Sequence, residues 1–129
     1  MLSVVKSMSL IGLDGHLINV QVDVSSGMPC WEIVGLPDIS VKESKERVRT
    51  SIKNSGYEFL SRRIVINLAP ADIKKEGSSF DLPIAIGILI CSEQIKPTSF
   101  DDTIFIGELS LDGTINRVNG ILPICIEAR

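Results

Sequence analysis

An alternating strand followed by an almost wholly apolar helix constrains what this chain can fold into. Ile64, Ile66 and Leu68 alternate with Arg63, Val65 and Asn67, which is the period of two that is typical of a strand. Pro70 then ends the strand, because proline has no N–H to donate to a neighbour. From residue 82 to residue 91 nearly every side chain is apolar, which predicts a helix that is buried on most sides.

The start of this apolar helix is marked by residues suited to a helix N-terminus. Ser78 or Ser79 can cap the first turn, and a negative charge at Asp81 suits the helix dipole. Pro83 is tolerated only in a first turn. We therefore predict that the helix begins between Ser79 and Leu82.

Four groups of short motifs are distinctive enough to identify a family. They are Asn67–Asp72 with Lys75–Pro83, Gly35–Asp38 with Val41–Arg49, Phe105–Gly113, and Val118–Pro123. In this order, over almost the whole chain, they closely resemble the amino-terminal domain of the magnesium-chelatase-like ATPases, the YifB/ComM family. The resemblance implies an α/β (α+β) fold in which helices pack on a mixed sheet, of the ribosomal S5 domain 2-like, Lon-protease-like type.

The same resemblance implies how such a domain is used. We expect residues 1–129 to form one domain, which in the full-length proteins precedes a hexamer-forming AAA+ ATPase module that this chain lacks. No G-x-x-x-x-G-K-[ST] motif occurs, so we expect no cofactor in this chain, with ATP and Mg²⁺ bound by the missing module. The partners implied are further copies in a ring and, in the cytoplasm, branched DNA handled during recombination or natural transformation.

Ser79 is the residue that suggests catalysis. The segment Lys75–Phe80 resembles the nucleophile segment of Lon-type proteases, with Ser79 at their serine. Those enzymes pair the serine with a lysine, because an unassisted hydroxyl is a weak nucleophile. Leu122 stands at the lysine's place, and no lysine lies between Arg117 and Arg129. We therefore expect no catalytic residue in this chain.

The cysteines and the apolar runs limit the class of protein. Cys30, Cys91 and Cys125 are odd in number and far apart, and His16 is the sole histidine, so we expect no metal site and reduced thiols in the cytoplasm. The apolar run of the buried helix is too short to span a bilayer, and the first residues do not form a signal peptide. We expect no membrane partner.

The charge of the chain is unevenly distributed. The net charge is −3, yet residues 39–63 carry seven basic and three acidic side chains, so this segment is +4 and the remainder is −7. The DNA-binding candidates are Lys42, Lys45, Arg49, Lys53, Arg62 and Arg63. The alternative is an ordinary solvated helix face, on which Glu43 pairs with Arg47 four residues later and Glu46 adds a second neutralising charge.

Local signals predict the remaining elements. A first helix should run from Ser40 to a stop at Gly56, with Ser40 and Glu43 as a capping box and Asp38 as a competing cap. Asp14-Gly15 and Asp112-Gly113 each predict a hairpin turn. Strands are expected over 3–10, 18–24, where apolar and polar residues alternate, 31–34, 62–68, 103–109 and 114–118. A polar loop is expected over 92–102 and a last helix from residue 121.

These observations leave four alternative hypotheses for the function. The first is a non-catalytic accessory domain of a DNA-processing AAA+ motor. The second is a Lon-like serine peptidase that uses Ser79. The third is a magnesium-chelatase-like subunit of tetrapyrrole synthesis, and the fourth is an oligomerisation module without DNA contact.

Overall fold

The computed structural model describes residues 1–96 and 102–128 as a mixed sheet layered with helices. Its elements are β1 (Leu2–Ile11), β2 (Asp14–Ser25), β3 (Cys30–Val34), α1 (Ile39–Lys42), α2 (Ser44–Asn54), β4 (Arg63–Ala69), α3 (Asp81–Cys91), β5 (Glu108–Leu109), β6 (Ile115–Asn116) and α4 (Ile121–Ala128). The expected α/β class is confirmed. The finer likeness to ribosomal S5 domain 2 stays a prediction.

The main sheet has four strands in the order β1-β2-β4-β3. β1 and β4 both run antiparallel to β2, and β3 runs parallel to β4. A parallel pair needs a crossover connection, and here α1 and α2 provide it. β5 and β6 form a separate two-stranded hairpin.

The core lies between the sheet and α3. Every second residue is buried in β4 and, from Ile18 onward, in β2. Val22 of β2 pairs with Ile66 of β4, and both side chains are fully buried. In α3, Ile84 is fully buried, Leu89 is 8% exposed and Ile86 packs against the core. The predicted burial of this helix is confirmed.

The first hairpin turns two residues earlier in the sequence than predicted. Ile11 pairs with Asp14, so the two-residue turn is Gly12-Leu13 and the Asp14-Gly15 pair already belongs to β2. Gly12 takes φ +65°, which favours glycine. Gly15 is needed for another reason, because a Cβ there would lie 2.8 Å from Cβ of Glu127 in α4.

The predicted first helix is two helices, and its cap is Asp38. The side chain of Asp38 accepts a hydrogen bond from the Val41 amide at 2.8 Å, so the Ser40 capping box is wrong. α1 ends at Lys42, and α2 starts after the single residue Glu43, whose side chain does not cap it. Asp38 also accepts from the Gly77 amide at 3.2 Å and so ties α1 to the loop before α3.

The serine cap predicted for α3 is also wrong. The N-cap residue is Phe80, without a side-chain hydrogen bond. The amide of Leu82 donates instead to the carbonyl of Gly107 at 3.0 Å, and the amide of Gly107 donates to the carbonyl of Ser79 at 3.0 Å. The Ser78 hydroxyl donates to Glu108 and is therefore directed away from the helix amides.

The last third of the chain has less strand than predicted. Within residues 102–128, only Glu108–Leu109 and Ile115–Asn116 pair as strands of a hairpin, while Ile104 makes an isolated bridge to Lys6. The polar loop predicted over 92–102 falls partly outside the described residues. Within the described ranges no helix is long and apolar enough to cross a membrane.

Candidate nucleic-acid interface

A cavity of about 340 Å³ lies between the end of α2, β3 and the start of β4. Its basic lining residues are Arg49, Lys53 and Arg62, and its aromatic lining residues are Trp31 and Phe59. We call this cavity the basic cleft. In the cleft, three basic residues from the segment 39–63 lie together with two of the few aromatic side chains of the chain.

Three elements bring the cleft residues together. Arg49 and Lys53 are four residues apart on α2 and therefore lie on one face of the helix. Arg62 directly precedes β4. Trp31 of β3 is the parallel partner of Ile64 in β4, which places the indole beside the segment that carries Arg62.

The aromatic residues form a connected wall. The rings of Trp31 and Phe59 meet edge to face, with centroids 5.5 Å apart and planes at 72°. The guanidinium of Arg49 lies 5.7 Å from the centroid of Phe59, a cation–π contact that holds the charge at the cleft. The indole N–H of Trp31 is buried and has no partner among the described residues.

Among the described residues, no carboxylate forms an ion pair with a cation of the cleft. In residues 1–96 and 102–128 the ion pairs join the amino terminus to Asp23, Arg47 to Asp81, and Lys74 to Glu76. None of them uses Arg49, Lys53 or Arg62. The predicted pairing of Arg47 with Glu43 is wrong, because Arg47 turns to Asp81 of α3.

The other DNA-binding candidates lie outside the cleft. Lys42 belongs to α1 and Lys45 to the first turn of α2, while Arg49 and Lys53 occupy the later turns. Arg63 is exposed next to the buried Ile64 of β4, and successive strand residues face opposite sides of a sheet. The structure thus groups three of the six candidates around one cavity.

Ser79 lies in a separate groove. Two adjoining cavities of about 410 and 290 Å³ share Glu76, Gly77, Ser79 and Asn119. The Ser79 hydroxyl makes no hydrogen bond within the described part of the chain. Leu122, at the family's lysine position, is 71% exposed and lines neither cavity.

Lys75, close to Ser79 in sequence, is held elsewhere. Its side chain is fully buried, and its ammonium donates to the carbonyl of Pro70. Burial lowers the pKa of Lys75, partly opposed by the charge of Asp72. No local sequence signal distinguishes this buried residue from its exposed neighbour Lys74.

One carboxylate of the Ser79 groove has a perturbed pKa. Hydrogen bonds from Ser78 and then Asn116 lower the pKa of Glu108, because both favour the charged form. Glu108 therefore serves as an acceptor for these two donors. This arrangement stabilises the loop before α3.

Comparison with known proteins gives the family. Residues 20–129 match the family described as subunit ChlI of Mg-chelatase. The chain is 45% identical over 127 residues to the uncharacterized protein YifB of Escherichia coli and 41% identical over 128 residues to the competence protein ComM of Haemophilus influenzae. These matches span 98% and 99% of this chain, respectively, and about a quarter of the length of each relative. The chain belongs to the Mg-chelatase ChlI family, in its YifB/ComM branch.

Proposed function

We propose that this chain is a non-catalytic accessory domain of a Mg-chelatase-like ATPase and that it contacts DNA through the basic cleft. The observation that carries the proposal is the convergence of Arg49, Lys53 and Arg62 on one cavity, with no carboxylate paired to them in the part of the chain that the structure describes. On a chain of net charge −3 this is a localised positive surface.

The physical basis is phosphate neutralisation. Lys and Arg side chains that reach phosphates release condensed counterions, and this release drives binding that is independent of base sequence. The remaining acidic surface repels DNA, so contact is centred on the cleft. Lys42 and Lys45 extend the positive surface along α1 and α2.

The activity of the whole protein is a further part of the proposal. A relative bears the name competence protein, which fits a role in DNA processing such as branch migration, recombination or natural transformation. ATP and Mg²⁺ would be bound by an ATPase module, and copies would assemble into a ring in the cytoplasm. The domain described here would guide DNA towards that ring.

A second candidate is an assembly module that has no contact with DNA. The observation in its favour is α4, on which Leu122 and Ile126 are 71% and 62% exposed and Cys125 is also exposed. Exposed apolar side chains on one helix are typical of a surface that packs against another chain. A peptidase has less support, since the ammonium of Lys75 is buried against Pro70.

The test is fluorescence anisotropy with labelled DNA at about 50 and about 200 mM salt, a range over which phosphate contacts weaken strongly. We expect wild type to bind at the lower salt, and Lys53→Glu/Arg62→Glu to lose at least about tenfold in affinity because two phosphate contacts are removed. Lys74→Glu/Arg117→Glu makes the same change in charge outside the cleft and should retain binding.

Two results would contradict the proposal. One is the absence of wild-type binding at low salt, which would favour the assembly module. The other is an equal loss in both charge variants, which would show that only the net charge matters and that the cleft is no binding surface.

A further inference from the structure

We infer that the basic cleft accepts an unpaired nucleotide, so that the domain binds single-stranded DNA in preference to duplex. The inference rests on the proposed function and specifies its substrate class. It follows from the shape and lining of the cleft rather than from its charge alone.

The cleft combines cations with an apolar recess. A surface that only follows duplex phosphates needs exposed basic side chains and no cavity between them. Here Arg49, Lys53 and Arg62 line a cavity that is also walled by Trp31 and Phe59. Its volume of about 340 Å³ lies within the range of small-molecule sites, roughly 300–1,000 Å³.

Only an unpaired base can use both parts of such a cavity. In a duplex the bases are paired and stacked inside, so the phosphates can reach the cations while the recess remains unfilled. In a single strand a base can turn into the recess while its flanking phosphates contact Arg49, Lys53 and Arg62. Aromatic rings and guanidinium planes are the groups on which proteins stack unpaired bases.

The orientation of the wall suits this mode of binding. Trp31 and Phe59 are both half-buried and each supports the other through their edge-to-face contact. The guanidinium of Arg49 is already held at the ring of Phe59. The wall is therefore ordered before a ligand arrives, which lowers the entropic cost of binding.

The fluorescence of Trp31 can report directly whether a base binds in the cleft, because Trp31 is the only tryptophan in the chain. The experiment titrates the protein with an oligo(dT) strand and with a hairpin duplex that has the same number of phosphates, at one salt concentration. Anisotropy gives the affinities, and tryptophan emission reports a base at the cleft. Wild type, Phe59→Leu and Lys53→Glu/Arg62→Glu are compared, with circular dichroism as the control for folding.

We expect oligo(dT) to bind about tenfold more tightly than the duplex, within what stacking of one base on an aromatic ring contributes. Trp31 emission should be quenched by oligo(dT) and not by the duplex. Phe59→Leu should lose the preference for oligo(dT), and the charge variant should lose affinity for both DNAs.

The outcomes separate this inference from the proposed function. Equal affinity for the two DNAs, an unquenched Trp31 in wild type, or an unchanged preference in Phe59→Leu would overturn the inference and leave DNA contact standing. Absence of binding to either DNA would overturn both. The quenching measurement in wild type decides the matter even if Phe59→Leu does not fold.

Discussion

Arg47 of α2 and Asp81, the first residue of α3, form a two-pronged ion pair. Nε of Arg47 lies 2.6 Å from Oδ2 of Asp81, and Nη2 lies 3.1 Å from Oδ1. Asp81 is fully buried and also accepts from the Ser44 hydroxyl and, at 3.0 Å, from the Leu109 amide. The hydrogen bond to Asp81 raises the pKa of Arg47. The pair joins α2, α3 and β5.

Removing one partner of this ion pair should strongly destabilise the fold. We expect Asp81→Ala to lower the free energy of unfolding by about 3–5 kcal/mol, because it leaves Arg47 uncompensated in a largely buried site. Glu43→Ala is the control, since Glu43 is exposed, and it should change stability by less than about 0.5 kcal/mol. Urea unfolding measures both. Equal effects would show that Arg47 is balanced by Glu43 after all.

The Arg47–Asp81 pair illustrates what sequence patterns could and could not predict. Alternation in β2 and β4 and the apolar run of α3 predicted the layers, because each reports burial locally. The partner of Arg47 lies 34 residues away, and spacing rules for helices favour Glu43 instead. Tertiary contacts of this kind have no local signature.

In the candidate interface, too, the features with a local sequence signal were predicted and the long-range contacts were not. The basic surplus of residues 39–63 was visible as a charge count, and it contains the three basic residues of the cleft. Its aromatic wall was not predicted, because Trp31 and Phe59 are 28 positions apart and meet only through the pairing of β3 with β4 and the approach of the loop before it. Arg63 was grouped with Arg62 by sequence, although strand geometry turns it to the other side of the sheet.

Gly87 of α3 should not tolerate a side chain. A Cβ at this position would lie 2.5 Å from Cγ2 of Val22 in β2. We expect Gly87→Ala to destabilise the fold by about 1–3 kcal/mol, the usual cost of overpacking. Val22→Ala removes the clashing methyl groups. The double variant should therefore lose less stability than the sum of the losses measured for the two single variants. Strictly additive losses in thermal or urea unfolding would exclude this contact as the cause.

Glu108 should contribute to stability in a pH-dependent way. Its pKa is lowered in the folded state by Ser78 and Asn116, so the unfolded chain binds more protons between the two pKa values. This part of the stability is present above the ordinary glutamate pKa near 4.5 and is lost as the pH falls through the folded value. Glu108→Gln should flatten the acid limb of a plot of unfolding free energy against pH. An unchanged acid limb would contradict the assignment.

Lys75 should act at the opposite end of the pH scale. Burial lowers its pKa below the ordinary 10.5, so over this alkaline interval the unfolded chain again binds more protons. The free energy of unfolding should therefore gain a rising component as the pH increases through the folded pKa towards 10.5. Lys75→Met keeps a long side chain without a titratable group and should remove that component, whereas Lys74→Met, at an exposed position, should keep it. Identical alkaline slopes in the two variants would contradict a buried Lys75.

The central claim is that DNA occupies the basic cleft, and alkylation of the cysteines tests it most directly. Cys30 lines the cleft, Cys125 is exposed on α4, and Cys91 is buried. The protein is treated briefly with iodoacetamide, with and without saturating DNA, and modification is quantified for each cysteine by peptide mass spectrometry. We predict that DNA slows modification of Cys30 and leaves Cys125 unchanged. Bound DNA that leaves Cys30 as reactive as in the free protein, or that protects Cys125 instead, would contradict the account.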